Sequence, residues 1–278
     1  MELEKLEKIK EALTRTQPLI TEIEKMRNSR LVAFFCTRSI TGPVAYRLNK
    51  IIRKIGCVEN LDILVESSGG DIDSTAKIIK ILRTYCKKLS VIIPFYAKSA
   101  AALFALHADE TILCKSGELG PIDPIVEDPT TKVWIPAHSI KEAVNFIQET
   151  GDPLVKLSMA DKLPPLLLGA YRDAQNATKQ YLQEALSKIE DQEAREDCIH
   201  TFSEKFVSHG YPIDIEICKK AGLNVVCPEV SLEDKLHDLH EIYCDLMLDT
   251  LKTTELLIIQ ANTYKCVVVN DEDVSASL

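Results

Sequence analysis

The sequence lacks the patterns that mark membrane-spanning, secreted and zinc-binding proteins. No stretch of its 278 residues approaches the roughly 20 consecutive apolar residues that cross a bilayer. The amino terminus does not have the basic, apolar and small-residue order of a signal peptide. The nine cysteines are scattered, and none forms a Cys-x-x-Cys pair or a Cys/His ligand pair. We therefore expect no membrane span, no metal site and a reducing, cytoplasmic setting.

Basic charge is also scarce. The chain has 33 Lys and Arg against 42 Asp and Glu, which gives a net charge of −9. Because binding to phosphates needs clustered basic residues, nucleic acid is not an expected partner. No GxxxxGK[ST] phosphate loop is present, so neither ATP nor another cofactor is expected. An apolar fraction of 46% is nevertheless enough for a sizeable core.

Hydrophobic patterns in the first half of the chain predict a parallel α/β sheet. Short apolar runs that predict strands alternate with segments of helical periodicity. The predicted strands are 31–35, 61–66, 89–95 and 110–114, and the predicted helices are 42–55, 73–86 and 99–108. Strands and helices that alternate through short connections form βαβ units, and binding sites lie at the carboxyl ends of their strands. The loops that follow strands 61–66 and 89–95 should therefore meet at one edge.

The remaining segments are mostly helical in pattern. We expect a charged helix over 1–28 with a break near Pro18, helices at 139–149, 164–190 and 232–261, and a short helix from Asp214. A possible edge strand follows at 265–269, and the acidic last eight residues should be frayed. These patterns divide the chain into an N-terminal helical segment (1–29), a main domain (30–228) and a C-terminal helix with an edge strand (229–278).

Two motifs at the expected sheet edge could carry chemistry. Gly69 and Gly70 lie between a strand and a helix, where glycine amides can approach an anion such as the oxyanion of acyl transfer. The alternative is an ordinary strand-to-helix turn. Ser99 begins a helix and could be a nucleophile or only its N-cap, and the amide of Ala100 would point towards the same anion site.

Several segments together resemble the Clp protease and signal-peptide-peptidase-like group, and most closely its serine dehydrogenase proteinase family. They are residues 66–74 (Glu-Ser-Ser-Gly-Gly-Asp-Ile-Asp-Ser), 97–101 (Ala-Lys-Ser-Ala-Ala), 116–124 (Ser-Gly-Glu-Leu-Gly-Pro-Ile-Asp-Pro), 208–213 (Ser-His-Gly-Tyr-Pro-Ile) and 221–225 (Ala-Gly-Leu-Asn-Val). The resemblance spans roughly 30–226. It implies a ClpP/crotonase-like spiral of βαβ units, with a mostly parallel sheet and a C-terminal helical extension. It also implies Ser99 as nucleophile and Gly70 with Ala100 as oxyanion donors.

The general base is where the sequence departs from this family pattern. Clp-type enzymes have a histidine at the place where this chain has Asp123, and an aspartate near the place where it has His209. One hypothesis is an exchanged triad, in which His209 accepts the proton of Ser99 and Asp123 orients the imidazole. The other is a Ser–Lys dyad with Lys141, as in the signal-peptide-peptidase relatives. Each of the three could also have a purely structural role.

Another histidine-containing segment could be interpreted as a metal site. His237 and His240 are three residues apart among acidic neighbours on a predicted helix. Without a second ligand cluster elsewhere in the sequence, we interpret them as part of a polar helix face.

The sequence therefore predicts an ATP-independent serine peptidase that acts on a protein or peptide substrate. The resemblance implies assembly into a homo-oligomer, for which helices 164–190 and 232–261 and the N-terminal helix are candidates. Two alternatives stay open. One is a crotonase-like enzyme acting on a CoA thioester, and the other is a catalytically degenerate scaffold, which the missing histidine after Ser99 would favour.

Overall fold

The computed structural model describes residues 3–128 and 131–278, which form two compact units. Unit 1 consists of the described residues up to Leu119 together with Pro212–Leu278, and unit 2 is Gly120–Tyr211.

Helices and strands alternate through most of unit 1, whereas unit 2 is mainly helical. In chain order the elements are α1 (Leu3–Arg27), β1 (Arg30–Cys36), α2 (Gly42–Ile55), β2 (Val58–Ser67), α3 (Ile72–Thr84), β3 (Cys86–Ile93), β4 (Tyr96–Ala97), α4 (Ala102–His107), β5 (Glu110–Leu113), β6 (Glu118–Leu119), β7 (Ile125–Glu127), β8 (Trp134–Pro136), α5 (Ala137–Glu149), α6 (Pro153–Ala160), α7 (Pro165–Ala185), α8 (Gln192–Ser203), α9 (Ile215–Lys220), β9 (Val225–Val226), α10 (Val230–Asp245), β10 (Leu256–Gln260), β11 (Lys265–Val269) and β12 (Glu272–Asp273). Short 3-10 turns lie at Ser99–Ala101 and Ser275–Ser277, and a π-type turn lies at Leu246–Leu251.

A central sheet with the order β12-β11-β10-β1-β2-β3-β5-β9 organises unit 1, and β4 pairs with both β2 and β6. Strands β1, β2, β3, β5 and β9 are parallel, and in the register Ile63 of β2 lies between Val32 of β1 and Val91 of β3. All three side chains are fully buried, as expected for a parallel sheet covered on both faces. The predicted α/β class and the four strands of the first half are confirmed.

The C-terminal part differs from the prediction. The helix expected over 232–261 is wrong, because α10 ends at Asp245 and Leu256–Gln260 is strand β10. Lys252 adopts a left-handed conformation (φ 49°) between the two elements. Strand β10 is antiparallel to both β1 and β11, and all five of its residues are buried. A short apolar run fits a buried strand as well as a buried helix, so periodicity alone could not separate them.

The predicted ends of the chain also need correction. Strand β11 is present at 265–269, but β12 pairs with it and forms the sheet edge instead. The acidic tail that we expected to be frayed contains this edge strand. At the other end, α1 continues through Pro18 without the predicted break. Its apolar side chains, such as Ile9 and Ile20, pack into the same core as Leu236 of α10, and this burial outweighs the local cost of proline. The described part of segment 1–29 and segment 229–278 thus share one core.

The described residues of unit 2 form four helices and the β7–β8 hairpin. The predicted helix at 139–149 is α5, and the one at 164–190 is α7, which ends at Ala185. The hairpin and the helices α6 and α8 were missed by the sequence analysis. Asp152 and Asp191 cap these two helices, because each carboxylate accepts hydrogen bonds from two backbone N–H groups of the first turn. None of the described helices is long and apolar enough to cross a membrane.

Candidate active site

Ser99 lies on a strained turn at the carboxyl edge of the sheet. Strand β4 pairs with the end of β2 at Ser67, and the N–H of Lys98 donates to the carbonyl oxygen of Ser67 over 2.9 Å. Ser99 then takes a φ of 52° and starts the 3-10 turn that leads into α4. A positive φ is unfavourable for a residue with a side chain, and such strain persists where the surroundings impose it, often at functional sites. The Ser99 side chain is half-buried.

Gly69 lies directly against this turn. A Cβ atom placed on Gly69 would be 2.8 Å from the carbonyl oxygen of Lys98 and 2.9 Å from Cβ of Ser99. It would also be 3.1 Å from the amide nitrogen of Ala100, and the φ of Gly69 is 103°. The glycine is therefore required both by its backbone conformation and by the close approach. The two bends are in contact, as the sheet topology predicts.

The three predicted oxyanion donors are not equivalent. The N–H of Gly69 donates to Oγ of Ser67 over 3.1 Å, so it is already engaged. In the turns and loops that the structure describes, the N–H groups of Gly70 and Ala100 donate to no other backbone group. Gly70 is exposed, with a φ of 147°. Of the three predicted donors, Gly69 is thus the one whose N–H is bound by a neighbouring side chain.

A further loop supports Gly70 and was not found from the sequence. The N–H of Ile40 donates to the carbonyl oxygen of Gly69, and the N–H of Asp71 donates to the carbonyl oxygen of Ile40, both over 2.9 Å. A Cβ atom on Gly70 would be only 2.3 Å from the nitrogen of Ile40. The loop after β1 therefore fixes the diglycine, and the parallel pairing of β1 with β2 was the signal that could have shown it. The carboxylate of Asp71 accepts the N–H of Ser74 over 2.8 Å and caps α3.

A buried polar cluster also holds the turn and was missed. Glu66, the residue before the Ser-Ser-Gly-Gly segment, is 2% exposed. Its Oε2 accepts the backbone N–H of Tyr96 over 3.1 Å and lies 3.3 Å from Nε2 of His240. The sequence signal was a charged residue directly after the apolar run Ile63–Val65 at the end of β2.

His240 is held in a mixed apolar and polar setting on α10. Rings of Phe35 and Phe95 lie 6.0 Å from its ring, and Sγ of Cys244 lies 3.5 Å from its Nε2. Burial lowers the pKa of His240, but its interactions with Cys244 and Glu66 outweigh burial and raise that pKa to about 9. The imidazole is therefore positively charged at neutral pH and forms an ion pair with Glu66.

Two of the predicted base residues interact within unit 2. Burial raises the pKa of Asp123, while His209 and His138 act to lower it. Nδ1 of His209 is buried and meets no hydrogen-bond partner in the described part of the chain. Asp123 and His209 are thus coupled through their charges, and Nδ1 is not hydrogen-bonded to the carboxylate. An unpartnered buried nitrogen is rare in folded proteins.

Lys141 has the wrong electrostatic setting for a general base. Its ammonium lies 2.8 Å from Oε2 of Glu204, and this hydrogen bond raises the pKa of Lys141. A lysine acts as a base only when its pKa is lowered. The raised pKa of Lys141 therefore gives the Ser–Lys dyad no electrostatic support. Asp123 and Glu204 are among the residues that line a cleft of about 420 Å³ in unit 2.

Comparison with known proteins assigns the chain to one family over nearly its whole length. The profile of the ClpP-like SDH-type serine proteinase family matches residues 3–261, so the chain belongs to this family. Among curated proteins it is 26% identical over 229 residues to the uncharacterized protein MJ0137 of Methanocaldococcus jannaschii, covering 82% of this chain and 74% of the relative. It is 27% identical over 237 residues to the uncharacterized protein MJ1495 of the same organism, covering 81% and 75%.

Two of the similar solved structures share little sequence identity with this chain. A mutant of the membrane-bound stomatin-specific protease 1510-N superposes with a TM-score of 0.45 at 14% identity, covering 69% of this chain and 77% of that one. ClpP1 from Listeria monocytogenes superposes with a TM-score of 0.42 at 14% identity, covering 75% and 98%.

Proposed function

We propose that this protein is a serine peptidase that hydrolyses peptide bonds through an acyl-enzyme formed on Ser99. The observation that carries this proposal is the strained Ser99 turn, with a φ of 52°, packed against Gly69. An N-cap role would not need a positive φ, because N-cap residues normally lie in the extended region. Membership of a serine proteinase family supports the same assignment.

The oxyanion site in this proposal consists of the amides of Gly70 and Ala100. The contact between the Gly69–Gly70 bend and the Ser99 turn places the diglycine beside Ala100. In the described turns and loops, neither the Gly70 nor the Ala100 amide donates to another backbone group. Gly69, which we also predicted as a donor, instead allows the close approach, since its N–H is bound to Ser67. Loss of one oxyanion donor lowers turnover by about 10²–10³-fold, so this site should matter nearly as much as the base.

The chemical steps follow those of acyl transfer. Oγ of Ser99 attacks the carbonyl carbon of the peptide, and its proton passes to the base, for which we propose His209 with Asp123 as its charge partner. The carbonyl oxygen becomes an oxyanion at the amides of Gly70 and Ala100. When the C–N bond breaks, His209 returns the proton to the leaving amine, and water then releases the acyl group by the same route. The coupling of Asp123 with His209 supports this pair over Lys141.

Covalent labelling tests the nucleophile. The wild-type protein should react with a fluorophosphonate at Ser99, because only an activated serine reacts at an appreciable rate. Ser99→Ala should abolish the label, and Ser139→Ala, an exposed serine on α5, should not. Digestion and mass spectrometry of the labelled protein identify the modified residue.

The same experiment separates the two alternatives. A crotonase-like enzyme would not form the phosphonylated serine, and it would turn over a CoA thioester in the Ser99→Ala variant. A degenerate scaffold would show neither label nor peptidase activity in the wild-type protein. Hydrolysis of peptides that is unchanged by added ATP would support the ATP-independent mechanism, for which the missing phosphate loop is the sequence argument.

We also propose that the active form is a homo-oligomer. The apolar faces of α1 and α10 are used inside unit 1, which leaves unit 2 as the better candidate for self-association. Leu154 and Leu157 on α6 and Leu166 on α7 are each more than two-thirds exposed, at 78%, 69% and 76%. Replacing Leu154 and Leu157 by Asp should shift the mass measured by light scattering towards the monomer. A monomeric wild-type protein would contradict this part of the proposal.

A further inference from the structure

A thiol, a carboxylate and an imidazole come together in unit 1, away from the Ser99 turn in sequence. Cys114 follows β5, and Glu233 and His237 lie on the first two turns of α10. One ligand atom from each side chain lies within 4.8 Å of the other two. These are three of the ligand types that zinc prefers, and zinc is commonly held by three protein side chains with one position left for water. The further ligand that the sequence did not reveal is thus Cys114, which lies more than a hundred positions before His237 in the chain but close to it in the fold.

Burial distinguishes this cluster from an ordinary polar surface. Cys114 is 2% exposed and Glu233 is 4% exposed, whereas His237 is half-buried. Carboxylates are rarely buried unless they are paired or coordinate a metal. A divalent cation would enter the site from solvent past the half-buried His237. It would then bind His237 and the two buried ligands.

The α10 helix and the β5 loop preorganise the ligands. Glu233 and His237 are four residues apart, so they lie on one helix face, with Nε2 of His237 3.8 Å from Oε1 of Glu233. The backbone N–H of Lys115 donates to Oε1 of Glu233 over 2.7 Å. A hydrogen bond of this kind behind a ligating carboxylate fixes its orientation, as outer partners do in metal sites.

A single positive charge already lies at this carboxylate. Nζ of Lys115 is 2.9 Å from Oε2 of Glu233, but the Lys115 side chain is 71% exposed. A flexible, exposed ammonium can swing into solvent at little cost, since exposed ion pairs contribute little. The carboxylate oxygen that it occupies would then be free for a metal, while the backbone N–H of Lys115 keeps its bond to the other oxygen.

We propose that Cys114, Glu233 and His237 form a zinc-binding site that ties the loop after β5 to the start of α10. The site is independent of the peptidase chemistry and uses none of its residues. Coordination requires the Cys114 thiol to lose its proton to solvent when the cation binds, as is general for thiolate ligands.

Metal binding by the full chain tests the proposal. The protein is treated with a chelator, kept reduced with a phosphine, and titrated with Zn²⁺ against a chromophoric competitor. We expect one Zn²⁺ per chain, and at least a tenfold loss of affinity in each of the variants Cys114→Ala, His237→Ala and Glu233→Gln. Cys198→Ala, which removes a fully buried thiol in unit 2, is the matched control and should bind as the wild type does. Lys115→Gln should bind more tightly, because the competing ammonium is removed.

Co²⁺ provides a second readout that does not depend on affinity. A Co²⁺–thiolate bond gives a near-ultraviolet charge-transfer band, which should be present in the wild type and absent from Cys114→Ala. Absence of stoichiometric Zn²⁺ binding would overturn the proposal. So would binding that survives Cys114→Ala and is lost in Cys227→Ala, because the metal would then be held by an exposed surface thiol.

Discussion

Nε2 of His240 lies 3.3 Å from Oε2 of Glu66, and this ion pair joins helix α10 to the strand end that precedes the diglycine. The same Glu66 oxygen accepts the backbone N–H of Tyr96, three residues before Ser99. The pair is buried, so its strength is little affected by salt. Helix α10, which contributes no predicted catalytic residue, therefore helps to hold the strained turn.

The stability of the protein should depend on this pair in a defined pH range. The pKa of His240 is raised from 6.5 to about 9 in the folded state. A raised pKa stabilises the folded protein fully below pH 6.5, and the contribution is lost as the pH rises through the folded value. We expect the free energy of unfolding to fall by about 1–3 kcal/mol between these limits, as measured by urea unfolding at a series of pH values.

A matched variant isolates this effect from other titrating groups. His240→Gln keeps a hydrogen-bond donor towards Glu66 but cannot titrate. Its unfolding free energy should change less with pH than that of the wild type over the same range. Tyr96 does not contribute there, because burial raises its pKa to about 12. Equal pH dependence in the two proteins would show that another group is responsible.

Gly69 should be intolerant of any side chain. In Gly69→Ala the new Cβ would lie within 3 Å of both the Lys98 carbonyl oxygen and Cβ of Ser99, at a φ that alanine disfavours. We expect a loss of about 1–3 kcal/mol in the free energy of unfolding and a strong drop in fluorophosphonate labelling. Gly169→Ala on α7 is the control, since nothing lies within 4 Å of its new Cβ and alanine favours a helix. Normal labelling of Gly69→Ala would contradict the proposed contact.

The parallel part of the fold could be predicted because local pattern and tertiary role agree there. Strands such as 31–35 and 61–66 are short, mainly apolar runs bounded by turns. The Gly-Gly bend follows strand 61–66, and the Ser99 bend follows strand 89–95. Leu256–Gln260 could not be assigned in this way, since its four consecutive apolar residues fit a helix as well as a strand. Its partners β1 and β11 decide the outcome, and this pairing is not a local property.

The site shows the same division. Gly69 and Ser99 were found because each lies in a short motif next to a strand end. Two interactions join segments that are far apart in the chain, so no sequence spacing indicates them. They are the ion pair between His240 and Glu66 and the hydrogen bonds of Ile40 on either side of Gly70. Our preference for the Asp123–His209 pair over Lys141 as the base depends on Glu204, which lies about sixty positions after the lysine. The Glu204 carboxylate stabilises Lys141 as an ammonium.

Substitution of the base candidates should separate the two proposed mechanisms. Loss of His209 by mutation to Ala should lower peptide turnover by about 10²–10⁴-fold, the usual contribution of a general base. Asp123→Asn should also lower kcat, since the charge that stabilises a protonated imidazole is removed. Lys141→Met should leave kcat nearly unchanged, because that lysine is held as an ammonium by Glu204.

The opposite pattern would assign the dyad. If Lys141→Met abolishes labelling of Ser99 and His209→Ala retains it, the base proposal is wrong while the nucleophile stands. Circular dichroism of each variant confirms that the protein is folded before the rates are compared.

Removal of the Asp62 carboxylate on β2 should destabilise unit 1. It is 1% exposed and accepts hydrogen bonds from Nε of Arg27 and from Oγ of Ser29, each over 2.8 Å. Asp62→Ala removes both hydrogen bonds and leaves Arg27 with Glu110 as its carboxylate partner, so the free energy of unfolding should fall by about 1.5–3 kcal/mol. Glu59→Ala is the control, because its pair with Lys87 is exposed at both ends and should contribute little. Urea midpoints measured at neutral pH compare the two variants, and an equal shift in both would show that burial does not decide the strength of the Arg27–Asp62 pair.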